Sequence, residues 1–127
     1  MKFLIVDDSS TMRRIVVNSL HRIGYTSYVE AAHGFEALAK FDSTIGFVIS
    51  DWNMPQMSGL ELARELRARP DGASVPLLMI TTRASTGDIT SAAAVGVSGY
   101  ILKPFQPPLF KQKIDELIAM AYGQQAG

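Results

Sequence analysis

The segment Lys2-Phe3-Leu4-Ile5-Val6-Asp7-Asp8-Ser9-Ser10 sets the class of architecture. Its apolar run is strand-length, unbroken by polar residues, and stopped by two acids and two serines. A continuous apolar run without alternation is the mark of a strand covered on both faces. Ser9 or Ser10 can then cap a helix in which Met12, Ile15, Val16, Leu20 and Ile23 recur at helical spacing, with Gly24 as its stop.

The same change of period repeats outward from this point. Tyr25 to Ala31 is rich in β-favouring residues and reads as a second strand, followed by a short helix marked by Phe35, Leu38, Ala39 and Phe41. Phe47-Val48-Ile49 forms a third strand ending at Ser50-Asp51. Ser58 and Glu61 match a capping box, with Leu62, Ala63 and Leu66 on the apolar face of the helix that follows. Pro70-Asp71-Gly72 signals a turn. Val75 to Ile80 is a fourth strand ending at Thr81-Thr82, and an alanine-rich helix over Asp88 to Val95 lies behind Ser85-Thr86-Gly87. Tyr100-Ile101-Leu102 is a fifth strand ending at Lys103-Pro104. Pro107 or Pro108 begins a last helix carrying Leu109, Phe110, Ile114, Leu117, Ile118 and Ala121. Strand and helix alternate five times, which predicts an α/β fold: a parallel sheet with helices on both faces. Residues 1–122 are expected to form one domain, with 123–127 a short, frayed tail.

Four of the five expected strands end on polar residues: Asp7-Asp8, Asp51, Thr81 and Lys103. In an open parallel sheet the carboxyl ends share one edge, so these residues converge where such folds bind ligands. Three carboxylates brought together repel, and one takes up a proton unless a cation neutralises them. A hard divalent ion such as magnesium suits oxygen donors of this kind. Asp8 and Asp51 can bind it directly, Asp7 through a water, and the carbonyl of Asn53 lies within reach. For any single Asp, a solvated strand end or a helix cap explains the residue equally well; the set with Lys103 and Thr81 is harder to explain that way.

Lys103 supplies a point charge for a phosphoryl oxygen, and Thr81 a hydroxyl for another. A nucleophile, a metal clamp and donors for the equatorial oxygens are the parts phosphoryl transfer needs. Asp51 is the best candidate nucleophile, since its strand is expected to be central and Asn53 lies two residues on. Trp52, Met54 and Met57 are expected to pack, and Tyr100 to serve as a core or edge aromatic. His21 and His33 have no partner at metal-ligand spacing and read as surface residues.

These motifs together resemble the receiver domains of bacterial two-component signalling, the response regulators, and most of all their single-domain chemotaxis members. The residues that carry the resemblance are Phe-Leu-Ile-Val-Asp-Asp-Ser-Ser-Thr-Met-Arg-Arg at 3–14, Asp-Trp-Asn-Met-Pro at 51–55, Thr81, and Gly-Tyr-Ile-Leu-Lys-Pro-Phe at 99–105. It extends from Lys2 to about Tyr122. It implies a flavodoxin-like sheet in strand order 2-1-3-4-5. Asp51 becomes the phospho-acceptor, charged by a histidine kinase or a small phosphodonor. Asp7, Asp8, Asp51 and the Asn53 carbonyl surround Mg2+. Lys103 and Thr81 sense the phosphoryl group, the Lys103–Pro104 peptide is cis, and Thr81 with Tyr100 forms a switch. The switch reshapes a surface of the last two helices and the last strand, where Lys113 falls. The implied partner there is the flagellar motor switch, with the kinase docking on an overlapping surface and a phosphatase as a further partner.

Two positions depart from the chemotaxis pattern. Thr82 stands where alanine is common, and is expected to crowd the path of Tyr100. Arg83 stands where an acid is common, bordering the water that attacks the aspartyl phosphate, so it is expected to alter self-dephosphorylation and the action of a phosphatase.

Other functions share parts of this pattern. A flavin-binding module needs a phosphate-cradling turn rich in Thr, Ser and Gly, and Asp7-Asp8 would repel that phosphate. An aspartate-nucleophile phosphatase needs a second acid where Asn53 stands, and a cap. Within the receiver class, a non-motor partner or a role as phosphate sink is the alternative.

Composition agrees with these expectations. The 127 residues include 47% hydrophobic and 19% charged residues, ordinary for a globular domain. Twelve Lys and Arg balance 12 Asp and Glu, which argues against a broad grip on nucleic acid or anionic membrane. There is no cysteine, in keeping with a cytoplasmic protein, and no run long enough for a membrane span. A monomer is the simplest expectation.

Overall fold

The computed structural model describes residues 1–82 and 85–123. The strands are β1 (Lys2–Val6), β2 (Ser27–Ala31), β3 (Ile45–Asp51), β4 (Leu77–Thr81) and β5 (Gly99–Leu102). The helices are α1 (Ser10–Arg22), α2 (Gly34–Lys40), α3 (Gly59–Arg67), α4 (Thr86–Ala94) and α5 (Pro107–Tyr122), with a 3-10 turn at Pro70–Gly72. All strand pairs are parallel, in the order β2-β1-β3-β4-β5.

Side chains of successive strand residues point to opposite faces. Phe3, Ile5, Phe47, Ile49, Leu78, Ile80 and Ile101 therefore join α1 and α5 through Val16, Leu20, Phe110 and Ile114. Leu4, Val6, Val48, Leu77 and Met79 join α2 and α3 through Ala37, Leu62 and Leu66 on the other face. β1, β3 and β4 are apolar on both faces because helices cover both.

Several boundaries differ from expectation, among them those of β4, α4 and β5, and two others have a clear physical reason. β2 starts at Ser27 rather than Tyr25, because the Tyr25 amide closes α1: Tyr25 N donates to Leu20 O (2.9 Å) and Gly24 N to His21 O (3.1 Å). Gly24 takes φ +97°, the left-handed conformation of this helix stop. β3 begins at Ile45 rather than Phe47, since the register shifts between Lys2↔Ile45 and Phe3↔Phe47 and Gly46 fills the extra position. Of the two capping serines, Ser9 is the one used, accepting from Met12 N. Gly123 closes α5, and residues 124–127 of the expected tail lie outside the described residues.

Candidate functional site

The strand register builds the site. Val6 pairs with Ser50, so Asp7 follows beside Asp51. Asp51 pairs with Ile80, and Thr81 comes one residue later. Thr81 pairs with Leu102, so Lys103 emerges next to the end of β4. All of these lie at the carboxyl edge of the sheet. Asp7, Asp51 and Lys103 continue the alternation of Ile5, Ile49 and Ile101, the face toward α1 and α5. Thr81 continues that of Met79 and so shares a face with Tyr100, which pairs with Met79.

The carboxylates of Asp7, Asp8 and Asp51 lie within 4.8 Å of one another. Asp51 and Asp7 are buried, at 7% and 3% exposure, while Asp8 is exposed. Lys103 Nζ is 3.4 Å from Asp51 Oδ1. Burial raises the Asp7 carboxyl to about pKa 6, and the neighbouring Asp51 and Asp8 charges push the same way. A hydrogen bond from Ser9 N to Asp7 Oδ1 (2.8 Å) and the Lys103 charge oppose that rise. Burial and two like charges disfavour the charged form of this carboxyl, and a bound cation would offset that cost. Two buried carboxylates and one exposed carboxylate provide the hard oxygen donors that magnesium takes, with an open side for its waters. The residues fit the ion.

Asn53 is exposed and lines, with Trp52, Thr81 and Asp88, a cavity of about 60 Å³ beside Asp51. Thr81 is buried at 2% exposure. The loop after Asp51 is tightly tied: Trp52 N donates to Ile80 O (3.1 Å), and Gly59 N to Trp52 O (2.8 Å). Gly59 is required there, since a Cβ would lie 2.5 Å from the Asp51 carbonyl. Met57 is buried and Trp52 and Met54 half-buried against the α2/α3 cluster, the packing roles expected of them. The Lys103–Pro104 peptide is cis.

Thr82 is exposed and lines a groove with Met12, Ile15, Lys103, Pro104 and Phe105, on the α1/α5 side. Tyr100 packs against the cluster on the opposite side. In this structure the two residues therefore border different sides of the sheet. Arg83 lies outside the described residues. Tyr100 is half-buried and lines a cleft of about 260 Å³ with Ile89, Ala92, Lys113 and Glu116 among its walls.

Three roles escaped the sequence reading. His33 is no mere surface residue: its Nδ1 accepts from Glu36 N at 3.2 Å and caps α2. Histidine is not among the favoured caps, so nothing in the sequence signalled it. Ser85 and Asp88 form a capping box on α4, a signal that was legible. Arg67 donates to three backbone carbonyls, those of Gly96, Gly72 and Val75, which only tertiary structure brings together.

With the fold and the acid pocket established, comparison with known proteins is direct. Residues 3–115 match the family model for the response regulator receiver domain, and the chain belongs to that family. It is 42% identical over 128 residues to a chemotaxis protein CheY homolog of Campylobacter jejuni, covering 99% of this chain and 98% of that one. It is 45% identical over 120 residues to chemotaxis protein CheY1 of Helicobacter pylori (strain J99), covering 93% and 97%. Among solved structures, it is similar to chemotaxis protein CheY4 of Vibrio cholerae, with a TM-score of 0.84 and 36% identity over 91% of this chain and 97% of that one. Among the described residues, no helix is long and apolar enough to cross a membrane.

Proposed function

We propose that the protein is a chemotaxis response regulator phosphorylated on Asp51, and that the phosphoryl group switches a partner-binding surface. The observation that carries this is the convergence at one sheet edge of three carboxylates within 4.8 Å and a lysine 3.4 Å from Asp51. The names of the relatives, all chemotaxis proteins, support the pathway.

An Asp51 carboxylate oxygen attacks the phosphorus of a kinase phosphohistidine or a small phosphodonor. The P–O bond forms as the donor's bond to phosphorus breaks, and the leaving group carries away the electron pair. Asp7, Asp8, Asp51 and the Asn53 carbonyl would hold Mg2+, which neutralises charge on the phosphoryl oxygens when bound. Lys103 moves its ammonium from the Asp51 carboxylate to a phosphoryl oxygen, and Thr81 donates its hydroxyl to another. Hydrolysis of the aspartyl phosphate by water resets the site, and Arg83 alters the rate of that step.

Tyr100 shares the face of Thr81, and its cleft borders Ala92 and Lys113, so movement of Thr81 is transmitted to the surface of α4, β5 and α5. Phosphorylation acts only through its differential stabilisation of the active form. A complete shift from 1:99 to 99:1 takes about 5.5 kcal/mol, part of which a partner supplies. We assign the flagellar motor switch as that partner, a histidine kinase as the donor, and the cytoplasm as the compartment.

The chemistry is tested by incubation with a small phosphodonor with and without magnesium. A magnesium-dependent, base-labile label is expected; labelling indifferent to magnesium overturns the reading. Capture of the motor switch protein by the phosphorylated form alone tests the partner. Capture by both forms equally overturns it.

A further inference from the structure

We infer that Arg13 is a positioning residue of the acid pocket, acting through the peptide that joins Asp7 to Asp8. The inference rests on the proposed reading of that pocket as a divalent-cation site. Arg13 stands in the first turns of α1, with its guanidinium turned back under the pocket. Its Nη1 donates to the Asp7 carbonyl at 2.6 Å, and its Nε to Glu30 Oε1 at 3.0 Å. The Arg13 side chain is 17% exposed while that of Glu30 is 41% exposed, so the guanidinium end of the pair is sheltered and the carboxylate end meets solvent.

The carbonyl that Arg13 grips belongs to the planar peptide between two of the three acids. Fixing its oxygen fixes ψ of Asp7 and φ of Asp8 together. The same turn is held from its other side, where Asp7 N donates to Ala31 O (3.1 Å) and Ser9 N to Asp7 Oδ1 (2.8 Å). Glu30 is a sound anchor for the guanidinium. It lies on β2 opposite Ile5, and its own carbonyl accepts from Lys40 Nζ at 2.8 Å. One planar fork therefore links β2 to the peptide that aims both carboxylates. Lysine carries its three N–H donors on one nitrogen and cannot reproduce the two separated donors of that fork.

Charge and position make opposite demands here, which gives the inference a sign. A guanidinium this close to the pocket repels a metal cation. If charge alone mattered, removing it would tighten magnesium binding. If the carboxylates depend on it for aim, removing it weakens binding, as loss of outer-shell support does elsewhere by about 10–100-fold.

The experiment is a titration of the whole chain with magnesium chloride, followed by the fluorescence of Trp52, the single tryptophan, next to Asp51. Wild type, Arg13→Met, Arg13→Lys and Glu30→Ala are compared, and the thermal midpoint of each metal-free protein is measured separately. Arg13→Met is expected to weaken magnesium by about 10–100-fold, with Arg13→Lys between it and wild type. Binding as tight as wild type or tighter in Arg13→Met, with only the thermal midpoint lowered, overturns the inference and leaves a stability staple. Should Arg13→Met fail to fold, Glu30→Ala decides, because it keeps the guanidinium but removes the acceptor that anchors it. Weaker magnesium binding there supports the inference, and unchanged affinity overturns it. If wild type binds no magnesium, the reading of the pocket fails first and the inference falls with it.

Discussion

Lys103 Nζ lies 3.4 Å from Asp51 Oδ1, although their strands are not neighbours: β4 runs between β3 and β5. The contact reaches over the end of β4, where Thr81 is buried. Register alone makes this possible, since Asp51↔Ile80 and Thr81↔Leu102 step the two residues toward the same edge. In the proposed reading, a phosphoryl group on Asp51 would meet this counter-ion, which is why Lys103 is assigned the sensing role.

Replacing Lys103 by methionine is expected to leave Asp51 able to accept phosphate while removing the response. In pull-downs, the ratio of partner captured by phosphorylated and unphosphorylated protein should fall toward one. A ratio equal to that of wild type would remove Lys103 from the switch.

The Asp7 carboxyl carries a pH dependence with a definite sign. Its folded pKa is raised from 3.8 to about 6, chiefly by burial. The folded state therefore binds this proton more tightly than the unfolded chain. The resulting stability is fully present below pH 3.8 and is lost as pH rises through about 6. The charged group costs the metal-free protein about 3 kcal/mol at neutral pH, an order-of-magnitude figure. Asp7→Asn should raise the metal-free thermal midpoint at pH 7, and the gain should vanish near pH 4. Magnesium should remove much of the difference by neutralising the wild-type pocket.

Gly59→Ala tests the tie between α3 and the acceptor. The added Cβ would meet the Asp51 carbonyl at 2.5 Å and Met79 Sδ at 2.8 Å. The backbone of β3 cannot yield without moving Asp51, so a loss of about 1–3 kcal/mol in chemical denaturation is expected, together with slower phosphorylation.

Arg67→Met leaves the carbonyls of Gly96, Gly72 and Val75 without their donor. Burial already holds the guanidinium below its ordinary pKa, so the site tolerates the charge only because these oxygens satisfy it. A loss of about 3 kcal/mol is expected from the denaturation midpoint.

The sheet was legible from Phe3-Leu4-Ile5-Val6 and its counterparts, because a strand covered on both faces must be apolar throughout. The pocket was legible for a related reason: Asp7, Asp8, Asp51 and Lys103 each follow such a run, and parallel strands place their ends together. What could not be read depends on register and face. That Thr82 and Tyr100 border different sides of the sheet is one case, because facing cannot be judged beyond a strand end. The carbonyl contacts of Arg13 and Arg67 were hidden because every residue carries such a group. Tyr25 looked like strand because its amide's use in closing α1 leaves no mark on its side chain.

The central claim is that Asp51 receives the phosphoryl group. The most direct measurement is residue-level mapping of the label after exposure to a small phosphodonor and magnesium, in wild type and in Asp51→Asn. The label is predicted on Asp51 alone and absent from Asp51→Asn. A label of equal yield on another residue, persisting in Asp51→Asn, would contradict it.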